Sequence, residues 1–312
     1  MSRTFANMLL LVAGAIWGMG FIAQQTAMDD IGPLLFIALR FLLAGLCVLP
    51  FAVVELNRQN RPGYLKAVKE NRFGFFWVGF AFFLGMSFQQ VGLIGTSVTN
   101  AGFLTALYVI IVPFIMVGVL RQRQPFIVWP AALLALSGIY LISGGNLLSL
   151  NTGDILIIIC AVFWAVHVVL TGRIGQHSGL PVTMACTQFF ITSILALIAY
   201  AIAVLGNFGE TIPNMAQLKG ALPEIIYAGT IAGGLGFTLQ AIGQRYTSES
   251  AAAVLISTES LFAALFGALF LAERLTLPGY IGCGIIFAAI LLVELMPRRE
   301  AQHKPETKVR ET

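Results

Sequence analysis

Residues 33–54 read PLLFIALRFLLAGLCVLPFAVV, a run of 22 residues in which Arg40 is the one charged side chain. About 20 apolar residues in helical conformation are enough to cross the hydrocarbon core of a bilayer. The proline that opens the run stands where a helix does not use the missing backbone N–H. We therefore predict a transmembrane helix over this stretch.

Nine further apolar runs of similar length extend this pattern over the chain. Hydrophobic residues make up 58% of the sequence and charged residues 10%, against about 45–50% and about 25% in soluble domains. A segment inside lipid must satisfy its own backbone hydrogen bonds, so continuous runs predict helices, whereas a β-barrel needs alternating strands. The sequence predicts an all-α membrane protein with ten spans, at about 7–25, 33–54, 73–91, 97–120, 126–143, 154–171, 181–205, 222–242, 249–271 and 277–296.

The placement of basic residues agrees with ten spans. If the N-terminus is cytoplasmic, 15 of the 18 Lys and Arg fall in cytoplasmic segments, and the opposite side holds only Lys219 and Arg274. Such an excess of positive charge marks the cytoplasmic side of membrane proteins. We expect both termini in the cytoplasm, a retained first span in place of a cleaved signal peptide, and a polar, disordered tail over 297–312.

The two halves of the sequence resemble each other. Trp17 and Trp164 lie 147 residues apart, Pro33 and Pro181 lie 148 apart, and TSVTNAGFL (96–104) aligns with TSESAAAVL (247–255) at an offset of 151. Each half then holds five spans, and an odd number makes the second half enter the membrane from the opposite side. We predict two inverted five-helix repeats, 1–145 and 146–296, an arrangement that recurs in transporters.

Four motifs carry a resemblance to a known family: AIWGMGFIAQQ (15–25), ALRFLLAG (38–45), the Thr-Ser start at 247–252, and FLAERLTLPGYIGCGII (270–286) with Glu273. The chain resembles the EamA-domain carriers of the drug/metabolite transporter superfamily over roughly residues 8–296. It departs where members often carry Glu-Pro and this chain has Glu259-Ser260, and RQRQP (121–125) lacks the glutamate of AERLT. The resemblance implies an inner-membrane carrier, commonly an exporter of amino acids or other small metabolites, including drug-like amphiphiles.

Glu259 is the first candidate for substrate binding or coupling. It lies about ten residues into the ninth run, near the expected bilayer midplane. A carboxylate at that depth is costly unless it faces a cavity, has a partner or is protonated, so it is a candidate for proton exchange. The alternative is a structural glutamate that bonds the neighbouring Ser257 or Thr258 hydroxyl.

Arg40 is the one basic residue well inside a span. Its guanidinium group is suited to hold a substrate carboxylate. Snorkelling to the interface and a structural ion pair, with Glu259 as one partner, are the alternatives. Further candidates are the intramembrane polar and aromatic side chains of Trp17, Gln89, Tyr108, Trp164, His167, Gln188 and Gln240. Helix capping, interhelical hydrogen bonding and core packing are their alternatives.

Several classes of function lack support in the sequence. It contains no HExxH, GxSxG or P-loop motif, and its four cysteines are scattered through apolar runs without metal-ligand spacing, so we expect no enzyme activity, cofactor or metal. A small-molecule substrate and the bilayer are the expected partners, and nucleic acid is not. The sequence leaves open an uptake permease, a membrane-embedded lipid-modifying enzyme, a non-transporting sensor or assembly factor, and a homodimer.

Overall fold

The computed structural model describes residues 1–60, 63–142, 150–270 and 276–294. Over these residues the secondary structure is helical, with no strand. The AERLT motif with Glu273 and the tail 297–312 lie outside the described residues, so the predictions made for them stay predictions.

Eight helices are long and apolar enough to cross a membrane, and two shorter apolar helices accompany them in the described ranges. The shorter ones coincide with two of the ten runs that the sequence predicts as spans. We number the ten in chain order: α1 Arg3–Asp29, α2 Pro33–Arg58, α3 Arg72–Gly92, α4 Ala101–Val119, α5 Val128–Leu141, α6 Thr152–Ser178, α7 Pro181–Leu205, α8 Leu222–Gln244, α9 Glu249–Phe270 and α10 Leu277–Ala289. Short helices, Tyr64–Glu70 and Met215–Gly220, lie in two of the connections.

The helices pack mainly between the two halves of the chain. Helix α2 lies along α7, α3 along α6, and α5 along α10. Helix α1 packs on α8 and α9 of the second half, and α6 packs on α3 and α4 of the first half. Close approach depends on small residues: a Cβ at Gly18 of α1 would lie 2.7 Å from the backbone N of Ala263 in α9. Small residues at such contacts let helix backbones meet where no hydrophobic effect drives association.

Two helices are interrupted at matching places. The fourth run is helical over Val98–Thr105 and again from Tyr108, and the ninth is helical over Glu249–Ile256 and again from Glu259. At the second break, the hydroxyl groups of Ser257 and Thr258 donate to backbone carbonyls three residues earlier. Residues 108 and 259 are 151 apart, the same offset that aligns the two halves.

Two carboxylates satisfy the exposed backbone N–H groups at the starts of α2 and α7. Glu55, near the end of α2, accepts hydrogen bonds from the backbone N of Val182 (3.1 Å) and of Thr183 (2.8 Å), and from the Thr183 hydroxyl (2.7 Å). Glu210, after α7, accepts from the backbone N of Leu34 at 2.6 Å. A carboxylate at a helix N-terminus is stabilising because it meets free N–H groups and the positive end of the helix dipole. The α2–α7 pair is therefore tied at both ends.

Candidate functional site

A small cavity of about 40 Å³ lies between α1–α4, α6, α8 and α9. Its polar lining residues are Gln24, Arg40, Gln89, Thr105, Tyr108, Gln240 and Glu259. Its walls are otherwise largely aromatic, formed by Trp17, Phe21, Phe41, Trp164 and Phe237. A concave apolar site with a few polar groups is the usual form of a small-molecule site.

Glu259 and Tyr108 are in direct contact in the lining of this cavity. The Tyr108 hydroxyl donates to Glu259 Oε1 at 3.0 Å, and both residues are buried. Each is the first helical residue after the break in its helix. The carboxyl group therefore lies at the N-terminus of the second segment of α9, where free N–H groups favour negative charge. The Ser257 and Thr258 hydroxyls bond backbone carbonyls, so Tyr108 is the partner of this carboxyl group.

Arg40 is 2% exposed, and no carboxylate pairs with it among the residues that the structure describes. Its Nη2 donates to Gln24 Oε1 at 3.3 Å and lies 2.9 Å from Met86 Sδ, while its Nε has no hydrogen-bond partner. The guanidinium group also lies 4.8 and 4.7 Å from the ring centres of Phe36 and Phe41. These contacts do not neutralise the charge. The buried guanidinium group therefore keeps hydrogen-bond donors that a ligand in the cavity could use.

A chain of amide side chains links Arg40 to the aromatic wall. Gln24 Oε1, which accepts from Arg40, also accepts from Gln89 Nε2 at 3.2 Å. Gln89 Oε1 in turn accepts from Trp164 Nε1 at 2.8 Å. Gln90 Nε2 donates to the backbone carbonyl of Gln24 at 2.8 Å. The network holds the cation and one tryptophan in fixed relative positions.

The two tryptophans occupy matching places in the two halves. Trp17 of α1 lies beside Gly236 of α8, and Trp164 of α6 lies beside Gly85 of α3. The glycines are 151 residues apart, so they correspond in the repeat. Phe237 lies between the indoles, with ring centres 4.4 Å from Trp17 and 5.7 Å from Trp164. These rings form an aromatic part of the cavity wall.

Two segments of the chain match one known family. The profile of the EamA-like transporter family matches residues 4–144 and again residues 151–295. The chain belongs to the EamA-like transporter family. Its double match agrees with the internal resemblance between the halves.

Relatives and a solved structure extend over almost the whole of this EamA-like transporter. An uncharacterized transporter of Archaeoglobus fulgidus is 33% identical over 295 residues, which are 94% of this chain and 87% of the relative. The uncharacterized inner membrane transporter YicL of Salmonella typhimurium is 24% identical, over 97% of this chain and 99% of its own. A crystal structure that is 17% identical superposes with a TM-score of 0.72, covering 94% of this chain and 98% of the other. These comparisons point to a multi-pass membrane transporter rather than an enzyme.

The structure brings seven of the nine candidate residues of this EamA-like transporter to the cavity: Trp17, Arg40, Gln89, Tyr108, Trp164, Gln240 and Glu259. It places His167 and Gln188 behind the aromatic wall, where they bond each other. It does not pair Arg40 with Glu259, which was one alternative for both. The candidates omit Gln24, although it carries the same signal as Gln89, an amide inside an apolar run.

Proposed function

We propose that this chain is a secondary carrier that exports a small metabolite with a carboxylate and an apolar body, such as an amino acid, by alternating access. The observation that carries the proposal is the buried Arg40, which pairs with no carboxylate among the described residues and lines a cavity rich in aromatic side chains. A substrate carboxylate would supply the missing counter-charge in a bidentate, charge-assisted contact. The rings of Trp17, Trp164 and Phe237 would hold the apolar body.

The proposal includes ten spans in two inverted repeats, 1–145 and 146–296, in the cytoplasmic (inner) membrane with both termini inside. Support comes from the distribution of Lys and Arg, from the double family match and from the matching helix breaks before Tyr108 and Glu259. In inverted-repeat carriers the binding site lies at the interface of the repeats, near the bilayer midplane, and discontinuous helices contribute to it.

Glu259 is proposed as the coupling group. Its carboxyl lines the same cavity as Arg40 and would take up and release a proton in each cycle, or contact the amino group of the substrate. The Tyr108 hydroxyl would orient the carboxyl oxygen that it bonds at 3.0 Å. Proton exchange at this position would drive the substrate against its gradient.

Flux in proteoliposomes tests the role of Arg40. The matched probes are radiolabelled L-phenylalanine, phenylpropionate, which lacks the amino group, and phenethylamine, which lacks the carboxylate. We expect flux of the two carboxylates in the wild type and a strong reduction at the same probe concentration in Arg40→Ala, while Arg58→Ala, which removes an exposed arginine at the end of the same helix, keeps the wild-type flux. Flux of phenethylamine alone, or carboxylate flux that survives Arg40→Ala, would refute the proposal. Accumulation of the probe in inside-out vesicles under an imposed pH gradient then reports the direction of transport.

A further inference from the structure

A second polar cluster lies behind the aromatic wall of the cavity. His167 Nε2 and Gln188 Oε1 are 2.9 Å apart, and the Thr171 hydroxyl lies 3.2 Å from the same ring nitrogen. All three residues are at most 1% exposed. Gln240 of α8, which is 1% exposed, lines the cavity itself.

This cluster corresponds to the Arg40 network through the internal repeat. Thr171 aligns with Gln24 at the offset of 147 that relates the tryptophans, and Gln188 aligns with Arg40 at the offset of 148 that relates the prolines. Gln240 aligns with Gln89 at 151, within the matching segments LGMSFQQVG (84–92) and LGFTLQAIG (235–243). Each half of the chain thus contributes polar side chains at corresponding positions of the repeat.

The second cluster has unused hydrogen-bonding capacity. His167 Nδ1 and Gln240 Oε1 are buried without a hydrogen-bond partner in the described structure. Buried polar atoms without partners are rare in proteins, since each costs free energy comparable to a lost hydrogen bond. An unpartnered nitrogen in the cluster and an unpartnered oxygen in the cavity lining point to a ligand or water that bonds them in another state.

Aromatic rings separate this cluster from the cavity. The His167 ring lies 5.1 Å from Phe82, 5.4 Å from Trp164 and 6.3 Å from Phe237, measured between ring centres. Phe82 in turn packs edge-on against Phe237 at 4.5 Å. A shift of these rings would join the cluster to the cavity.

We propose that Thr171, His167, Gln188 and Gln240 form a second subsite for the transported solute, reached from the side of the membrane opposite to the Arg40 subsite. This rests on the carrier function proposed above. The groups are neutral, so the subsite takes the same carboxylate-bearing metabolite through hydrogen bonds without an ion pair. Such bonds lack the counter-charge and the bidentate geometry that Arg40 supplies. The solute would occupy the two subsites in the two states of the cycle.

Sided labelling of single cysteines tests this placement without a known substrate. Thr171→Cys and its repeat counterpart Gln24→Cys are made in a background where the four native cysteines are replaced by alanine. A membrane-impermeant, charged methanethiosulfonate is applied to right-side-out and to inside-out vesicles. We expect Gln24→Cys to react from the periplasmic side only and Thr171→Cys from the cytoplasmic side only. Ile194→Cys, on the exposed apolar face of α7, should react from neither side.

The outcomes separate this inference from the carrier function. Thr171→Cys that stays unreactive from both sides, or that reacts from the same side as Gln24→Cys, overturns the second subsite. Since threonine and cysteine are nearly equal in size, loss of folding is not the expected cause of a failure, and thermal unfolding of the purified variant checks this. Absence of wild-type flux for every probe would instead refute the carrier function, whatever the labelling shows.

A flux measurement supplies the second readout. Thr171→Val should raise the half-saturation concentration for L-phenylalanine about tenfold on the cytoplasmic side, because a hydrogen-bonding group is lost inside a water-poor site. The value on the opposite side should not change. Thr192→Val is the matched control, since it removes a buried hydroxyl that bonds the Gly79 carbonyl at 3.2 Å. Equal effects of Thr171→Val on the two sides would contradict the subsite.

Discussion

Replacing Glu259 with glutamine should uncouple transport from the pH gradient while leaving the cavity intact. Glutamine has nearly the same volume and keeps an oxygen that accepts the Tyr108 hydroxyl, which lies 3.0 Å from Glu259 Oε1. It cannot take up or release a proton. The variant therefore separates the proton-exchanging role of this side chain from its role in packing.

The size of the effect follows from the composition of the cavity. Among the lining residues that the structure describes, Glu259 is the one carboxyl group, so a cycle that couples through it carries one proton. One pH unit is then worth about 1.36 kcal/mol, or a tenfold accumulation ratio, at zero membrane potential. A gradient of two units should give about a hundredfold accumulation in the wild type. The ratio for Glu259→Gln should stay near one at every gradient.

The assay is uptake of labelled L-phenylalanine into proteoliposomes, with the potential clamped by potassium and valinomycin and the pH gradient varied in steps. Counterflow at equal pH checks that the variant still binds and translocates. Tyr108→Phe is the matched control, since it removes the hydroxyl and keeps the carboxyl group; it should slow flux but keep the tenfold dependence per pH unit. A slope that persists in Glu259→Gln, or a wild-type slope steeper than one proton allows, would refute the reasoning.

Three further outcomes are expected. Arg40→Ala should raise the half-saturation concentration for a carboxylate substrate about a hundredfold, and Arg40→Lys less, because lysine keeps the charge without the bidentate geometry; concentration-dependent flux measures both. Glu55→Ala should lower the free energy of unfolding by about 1–2 kcal/mol, and Glu55→Gln by less, since the amide oxygen still accepts the N–H groups at the start of α7. Thermal unfolding in detergent measures both variants, and equal stabilities would contradict this reasoning. Burial raises the pKa of Glu210, although hydrogen bonds from Leu34 and Leu35 offset part of the rise. A raised folded-state pKa means that ionisation disfavours the folded state. The wild type should therefore lose stability relative to Glu210→Gln as the pH rises above the ordinary pKa of 4.5. A stability difference between the two proteins that does not change with pH would count against the burial argument.

The spans could be predicted from the sequence because lipid imposes a simple rule. A segment that meets hydrocarbon has to be apolar and has to satisfy its own backbone, so hydropathy places helices such as α2 and α7 to within a few residues. The breaks at 106–107 and 257–258 follow no such rule. Neither pair contains proline or glycine, and the second break depends on local serine and threonine bonds to the backbone and on the close approach of α1 at Gly14. Tertiary packing decides such features.

The charged residues of the candidate site could be predicted from the sequence more easily than the polar residues around them. An ionisable group inside a span is expected to face protein or a cavity, and both Arg40 and Glu259 line the cavity. His167 and Gln188 carry the same kind of signal but lie behind the aromatic wall. The face that a helix turns inward depends on its rotation, which is set by its neighbours. A span that is apolar on all sides, such as α6, contains little information about that rotation.

The two halves of the chain correspond in their helices but differ at the positions of Arg40 and Glu259. For one of these pairs the geometry gives a reason. Tyr108 and Glu259 are counterparts in the repeat, and they touch. Two glutamates at this distance could not both be ionised in a water-poor cavity, because like charges at contact raise the cost of the second ionisation. Tyrosine at one position supplies a neutral donor and avoids that cost. Arg40 and its counterpart Gln188 bond different partners, so contact does not enforce their difference. We infer that the first asymmetry avoids charge repulsion, whereas the second determines which half supplies the cation of the proposed binding site.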